Sequence, residues 1–318
     1  MKINKNIVLT SFAVGLLSLA GAANAGLVLD TGSITMGVQD NGGLGFSGVG
    51  IALTGGPGDA IMPGCLCEGW GAASDGVGSY TYGNSSSGFA SSNFTTTGPA
   101  DAVSTVVLNS GLTIVHTYSS AAGGSLFGVN VSIFNTSGAD VADVRYARTL
   151  DWDVGPGHFG DDFTTIYGGT ASGPGGNVLH TSFNPFAAPN PMSLRGSYGG
   201  VAANTNGTNV TGDLGAYFIL GFGNLLAGES VSFDTYIGAA FSTSSLLSAF
   251  GSVGIEAYSY TYDDDGDATY GWGFANVGLP PAIDPDPTGI PAPASIALFS
   301  LGLAGLGFRL GRKNKQKV

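Results

Sequence analysis

The segment Leu112-Thr-Ile-Val-His-Thr-Tyr118 decides the fold class, because Leu112, Ile114, His116 and Tyr118 fall on one face of an extended chain. Further segments have the pattern of strands, because their apolar residues either alternate with polar residues or form a continuous run. Gly, Asn and Ser turns bound these segments. These segments are residues 129–135, 216–222, 231–234, 254–262 and 269–277. Residues 242–250 predict a short helix with Leu246, Leu247 and Phe250 on one side. We expect His116 to be a packed core histidine.

The composition agrees with β structure. The chain contains 55 glycines, and only 10% of its residues are charged, so that long charged helix formers are scarce. Many short strands and one brief helix predict an all-β fold, specifically an antiparallel β-sandwich. We expect one β-rich extracytoplasmic domain over residues 26–279, a signal helix before it and a membrane-length helix at the C-terminal end.

The N-terminal residues 1–25 have the pattern of a signal peptide. Lys2 and Lys5 precede an apolar stretch, and Ala23-Asn24-Ala25 has small residues at the two positions that signal cleavage requires. Cleavage would leave Gly26 as the first residue of the mature chain.

The C-terminal end combines a proline-rich spacer with an apolar run and a basic tail. Residues 280–293 contain six prolines among small and acidic residues, which favours an extended, semi-rigid segment. The apolar run over residues 295–308 is near the lower limit for crossing a bilayer, and arginines and lysines follow it. We expect transient membrane retention there; a permanent anchor is the alternative.

Charge separates the ends from the body. Every lysine lies near a terminus, whereas the segment between holds three arginines against 22 acidic residues, a formal net charge of −19. Such a body repels nucleic acid and anionic lipid and attracts divalent cations. Nucleic-acid binding is therefore excluded.

The C-terminal pattern over residues 290–318 resembles the PEP-CTERM sorting signal of Gram-negative bacteria. Its motif is Pro291-Ala292-Pro293, in which Ala292 stands where the family usually has glutamate. Three internal stretches resemble one subgroup of these proteins: residues 59–71 with Cys65-Leu-Cys-Glu-Gly-Trp-Gly71, residues 145–153 with Asp151-Trp-Asp153, and residues 236–259. The resemblance implies export through the inner membrane, sorting by an exosortase and residence at the cell surface or outside the cell, and it brings no catalytic residues.

Cys65 and Cys67 are the chain's two cysteines. In an exported protein they suggest a disulfide, although free buried thiols or a redox pair are alternatives. A zinc site would need further ligands, and none has suitable spacing in the sequence.

An acidic cluster follows residue 150. Its members are Asp151, Asp153, His158, Asp161 and Asp162. One interpretation is a Ca²⁺ site, since hard cations prefer several carboxylate oxygens. The alternatives are pairing with Arg145 and Arg148, and a pair of glycosidase acids. Asp151 and Asp153 should share one face of the chain, with Trp152 on the other.

A second acidic stretch contains Asp263, Asp265 and Asp267. It resembles the start of a calcium-binding loop, but the downstream chelating acid is missing, which favours an acidic hairpin turn. These three residues are a second candidate for Ca²⁺ binding.

Two classes of function follow. The first is a non-enzymatic surface or extracellular-matrix protein that interacts with exopolysaccharide in a biofilm. The second is a secreted carbohydrate-binding or carbohydrate-active protein that uses Trp70, Trp152 and Trp272 as sugar platforms. Buried tryptophans would favour the first class; an open cleft with two opposed carboxylates and an aromatic wall would favour the second.

Overall fold

A computed structural model of the protein describes residues 26–155, 160, 162–262, 265 and 267–283. The strands in this part of the chain are β1 Gly26–Asp30, β2 Ile34–Gln39, β3 Ile51–Leu53, β4 Gly69–Ser74, β5 Val77–Tyr82, β6 Ser85–Ser87, β7 Phe89–Thr96, β8 Ala102–Leu108, β9 Leu112–Ala121, β10 Leu126–Asn135, β11 Val141–Asp151, β12 Phe163–Tyr167, β13 Gly169–Thr170, β14 Gly173–Pro174, β15 Val178–Ser182, β16 Val210–Thr211, β17 Gly215–Leu225, β18 Ser230–Ala240, β19 Ala257–Tyr262 and β20 Thr269–Ala275. One α-helix, α1 Thr243–Ser252, follows β18. The all-β prediction with one short helix is confirmed for the described residues.

The strands form two large antiparallel sheets and two small ones. The nine-stranded sheet has the order β16-β12-β19-β20-β18-β10-β9-β8-β7, and the six-stranded sheet has the order β15-β17-β11-β4-β5-β6. Strands β1 to β3 form a third sheet, and β13 pairs with β14. The signal peptide and the sorting signal, with Ala23, Ala25, Pro291, Ala292 and Pro293, lie outside the described residues, and among those described no helix is long and apolar enough to span a membrane.

The two large sheets face each other across an aromatic core. Tyr146 of β11 contacts Phe233 of β18 at 5.1 Å between ring centroids, and Phe218 of β17 contacts Trp272 of β20 at the same distance. Edge-to-face rings at this separation add to the free energy of burial. The resulting architecture is sandwich-like.

Strand β9 shows how the sequence pattern produces this layer. Its four alternate residues from Leu112 to Tyr118 are all buried, whereas the intervening side chains are half-buried or exposed. His116 is fully buried, and its Nε2 lies 3.1 Å from the hydroxyl of Tyr146 in the opposite sheet. The prediction of a core histidine is confirmed.

The helix packs against β18 and β20, two central strands of the nine-stranded sheet. Ser242 caps it by accepting a hydrogen bond from the backbone N–H of Ser245 at 3.2 Å. Leu246 and Phe250 are fully buried. Ala282, at the start of the proline-rich segment, donates a backbone hydrogen bond to Ile255, and Ile283 packs on the same cluster. The packed body therefore continues through Ile283.

A buried ion pair joins Glu68, the residue before β4, to Arg148 of β11. Arg148 Nη2 donates to Glu68 Oε1 at 2.5 Å, and both side chains are almost completely inaccessible. Glu68 Oε2 also accepts a hydrogen bond from the backbone of Leu44 at 2.6 Å. Removing one member of such a pair leaves an uncompensated charge in the core.

We predict that Glu68→Gln lowers the free energy of unfolding by about 3–5 kcal/mol, because it leaves the Arg148 charge buried without its counter-ion. Arg145→Gln is the matched control, since Arg145 pairs with Asp143 at the surface, and it should change the free energy by less than about 1 kcal/mol. Urea unfolding measures both. Equal effects of the two substitutions would contradict the prediction.

Candidate functional site: a buried carboxylate group beside a disulfide

Three aspartates meet at the C-terminal end of β11. Asp151, Asp153 and Asp213 each offer a carboxylate oxygen, and these oxygens lie within 4.8 Å of one another. Asp151 and Asp153 are 2% and 1% exposed, while Asp213 lies at the surface. We call these three residues the carboxylate group. Its inner part is therefore dry, and its outer part is open to solvent.

The backbone explains why these residues meet. Asp151 ends β11 opposite Gly215 of β17, so that Asp213 lies just before the partner strand. The backbone N–H of Trp152 donates to Leu214, and that of Asp153 donates to Ala60. Trp152 points the other way, and its indole N–H donates to Ser259 Oγ at 3.2 Å. The predicted separation of the two aspartates from Trp152 is confirmed.

Asp162 contributes a further buried acid near this group. It is completely buried, and its Oδ2 accepts a hydrogen bond from the backbone of Val154 at 3.4 Å. The negative charge of Asp162 is among the causes that raise the pKa of Asp151. Asp161 and His158 lie outside the described residues.

Burial and mutual repulsion change the acidity of the group. Burial first, and then the charges of Asp153, Asp213 and Asp162, raise the pKa of Asp151 to about 9. Burial and the charge of Asp213 raise the pKa of Asp153 to about 7. Carboxylates held so close repel one another, and this repulsion falls when some of them bind protons or when a cation binds between them. Oδ1 of Asp151 is buried and has no hydrogen-bond partner among the described residues.

The arginines do not neutralise the charges of these carboxylates. Arg148 is paired with Glu68, and Arg145 with Asp143, so the predicted pairing of these arginines with the acidic cluster is wrong. Arg195 donates to Thr149 Oγ1 at 2.7 Å and lies over the ring of Tyr217 at 3.7 Å. These three arginines are the only lysine or arginine side chains between residues 6 and 308. A hard cation such as Ca²⁺ suits the remaining set of oxygen ligands.

A disulfide borders the carboxylate group. Cys65 and Cys67 are bonded to each other, and Cys65 Sγ lies 3.4 Å from Asp151 Oδ2. A disulfide sulfur carries no hydrogen, so this approach is a contact and not a hydrogen bond.

The second acidic stretch is arranged differently. Asp265 and Asp267 are exposed in the turn between β19 and β20, and Asp263 lies outside the described residues. Neither Asp265 nor Asp267 belongs to a group of candidate metal ligands in the described part of the chain.

The structure also bears on carbohydrate chemistry. Trp70, Trp152 and Trp272 are all fully buried, so none of them is a sugar platform. Asp151 and Asp153 are too deeply buried to flank a sugar ring, as a pair of glycosidase acids must. A groove of about 600 Å³ is lined mainly by amide and hydroxyl side chains, together with Phe46, Phe89 and a single carboxylate, Asp40.

Comparison with models of known protein families and with curated proteins finds no match to this chain. The functional interpretation therefore depends on the chain's own sequence and geometry.

We predict that Asp151→Asn makes the metal-free protein less sensitive to alkaline pH. The folded state holds a proton on Asp151 up to about pH 9, whereas the unfolded state releases it near pH 3.8. The contribution of this aspartate to stability therefore falls as the pH rises across that interval. In chelator, the melting temperature of Asp151→Asn should exceed that of wild type by an amount that grows from about pH 5 to about pH 9.

Asp101→Asn, which removes an exposed acid outside the group, is the matched control. A difference between Asp151→Asn and wild type that stayed constant with pH would contradict the raised pKa.

Proposed function

We propose that the protein is a non-enzymatic, exported component of the cell surface or extracellular matrix whose β-sheet body is stabilised by Ca²⁺. The export part of this proposal is supported by the two apolar, lysine-flanked termini on either side of a body of net charge −19. The described strands all lie within the mature chain that the expected cleavage before Gly26 would leave.

The carboxylate group supports the calcium part of the proposal. Asp151 and Asp153 provide buried oxygens. Asp213 provides an oxygen on the solvent-exposed side of the group, from which an ion can enter. Calcium accepts carboxylates in flexible geometry and keeps water ligands, which suits a site with one open side. Bound Ca²⁺ would replace protons on Asp151 and Asp153.

The architecture supports a binding role over an enzymatic one. The tryptophans are buried, and the polar groove near Asp40 offers one carboxylate instead of an opposed pair. We propose the exosortase and the inner membrane as transient partners during export, and exopolysaccharide as the partner of the mature protein. An uncharged polysaccharide suits a body of strong negative charge, because an anionic polymer would be repelled.

We predict that Ca²⁺ raises the melting temperature of the purified protein at neutral pH. At a free concentration of about 100 times Kd, the gain is about 2.7 kcal/mol, or roughly 5–10 °C for a domain of this size. Asp213→Asn should lose most of this gain, because it removes one ligand without opening the core. Asp267→Asn is the matched control and should keep it. Identical melting curves in Ca²⁺ and in excess chelator would refute the calcium site.

We predict a specific mass for the protein recovered from the cell surface or the medium. Its chain should begin at Gly26 and end near the proline-rich spacer, and the C-terminal cut should disappear in cells that lack the sorting protease. Intact-mass measurement of both samples tests this. Recovery of the full-length chain from the cytosol would refute the export proposal and leave the calcium test unaffected.

A further inference from the structure

The sequence separates Asp151 widely from the two cysteines, but the fold brings the three residues together. The sulfur atoms of Cys65 and Cys67 and a carboxylate oxygen of Asp151 lie within 4.8 Å of one another. Asp151 also belongs to the carboxylate group, so that one side chain is shared by two sets of ligands. The sequence alone offered no third ligand for the cysteines.

We propose that reduction of the disulfide creates a second metal site, formed by Cys65, Cys67 and Asp151, for a thiophilic divalent ion such as Zn²⁺. Two thiolates and one carboxylate supply three ligands of a tetrahedral site, and water supplies the fourth. Thiolates select softer ions than the oxygens of the carboxylate group do. The oxidised protein thus offers a hard site, and the reduced protein a soft one, with Asp151 common to both.

Strand pairing fixes Asp151 and the segment that follows the two cysteines independently of the disulfide. Gly69 of β4 is aligned with Thr149 of β11. Because the strands are antiparallel, Cys67, two residues before Gly69, lies next to Asp151, two residues after Thr149. The backbone N–H of Cys67 donates to the carbonyl of Cys65 at 2.8 Å, so that the turn closes through its own backbone. The next residue, Glu68, is fixed by Arg148. Breaking the S–S bond therefore leaves both sulfurs near Asp151.

The exposure of the two cysteines determines which sulfur a reductant attacks. Cys65 is exposed, whereas Cys67 is only 8% exposed. A thiolate of a dithiol reductant would attack Cys65 Sγ, and Cys67 would leave as a thiolate. The second thiol of the reductant then displaces Cys65, so that the reductant becomes a disulfide while Cys65 and Cys67 each gain a hydrogen. Binding of the metal displaces these two thiol protons.

The unpartnered oxygen of Asp151 supports a ligand at this place. Asp151 Oδ1 is buried and has no hydrogen-bond partner among the described residues, although Oδ2 touches Cys65 Sγ. A buried carboxylate oxygen without a donor is costly unless a proton or a cation satisfies it. A metal ion bound to the two sulfurs would lie within reach of this carboxylate. The inference shares Asp151 with the calcium proposal but does not depend on calcium binding or on export.

The test uses Co²⁺ as a spectroscopic substitute for Zn²⁺. The purified full-length chain is reduced with a phosphine, separated from the reductant and titrated with Co²⁺ in the absence of Ca²⁺. We expect a thiolate-to-cobalt charge-transfer band that saturates at one equivalent, disappears on addition of Zn²⁺ and is absent from the oxidised protein. Cys65→Ser should abolish the band, and Asp151→Asn should weaken Co²⁺ binding by about tenfold or more.

Asp213→Asn is the control that separates the two sites. It removes a ligand of the carboxylate group only, and it should lose stabilisation by Ca²⁺ while keeping the cobalt band of the reduced protein. Circular dichroism of each variant shows that it is folded. Absence of the band from reduced wild type, or equal Co²⁺ affinity in Asp151→Asn and wild type, would overturn the inference. Failure of calcium to stabilise the oxidised protein would overturn only the calcium proposal.

Discussion

The buried ion pair between Glu68 and Arg148 is the interaction on which the arrangement of the site depends. It lies beside the pairing of β4 with β11, in which Trp70 is aligned with Arg148 and Gly69 with Thr149. A slip of one residue would turn Arg148 to the other face of its strand and leave both charges without partners in a dry core. The pair therefore favours one register. That register brings the disulfide to Asp151.

The same pair determines the electrostatics of the acidic end. The body contains three arginines, and burial of Arg148 against Glu68 uses one of them far from the surface. Arg195 is used in binding backbone carbonyls of the segment around residues 184–187 and in covering Tyr217. The group at Asp151, Asp153 and Asp213 thus has no arginine, and burial and repulsion raise its pKa values. Protons or bound cations reduce the repulsion among such closely spaced carboxylates.

The sequence predicts those strands in which one face is buried and the other is not. In β9, and in β10 from Val129 onward, the alternation is clear, and the fold follows it. Strand β4 has no alternation because all of its residues are buried, and strand β7 has none because most of its residues are exposed. Period-two reasoning cannot recognise either kind of strand. Glycine makes β4 possible: a Cβ atom on Gly71 would lie 2.3 Å from the carbonyl oxygen of Pro189.

The site was predictable only in the part that is local in sequence. Asp151 and Asp153 follow from their spacing, but Asp213 reaches them through the pairing of β11 with β17, which a single sequence does not specify. The proximity of Cys65 and Cys67 to Asp151 likewise depends on the pairing of β4 with β11. The error about Arg145 and Arg148 has a related cause. Successive residues of a strand point to opposite faces, so the odd separation of Arg145 and Arg148 places them on different sides of the sheet, each with its own acid.

On the proposed export and metal binding, the disulfide and the carboxylate group would connect the metal chemistry to the compartment. In a reducing cytosol, Cys65 and Cys67 would be thiols, and a soft ion would compete with protons for them and for Asp151. On the proposed export, exchange with a disulfide oxidant would join the two sulfurs and reduce the oxidant to a dithiol, with two protons taken from solvent; the soft ion would leave, and Asp151 would be available to the carboxylate group. The site then consists of hard oxygen ligands, which suit Ca²⁺ outside the cell. The redox state of the turn at Cys65 and Cys67 would in this way determine which ion the body binds and which residues bind it.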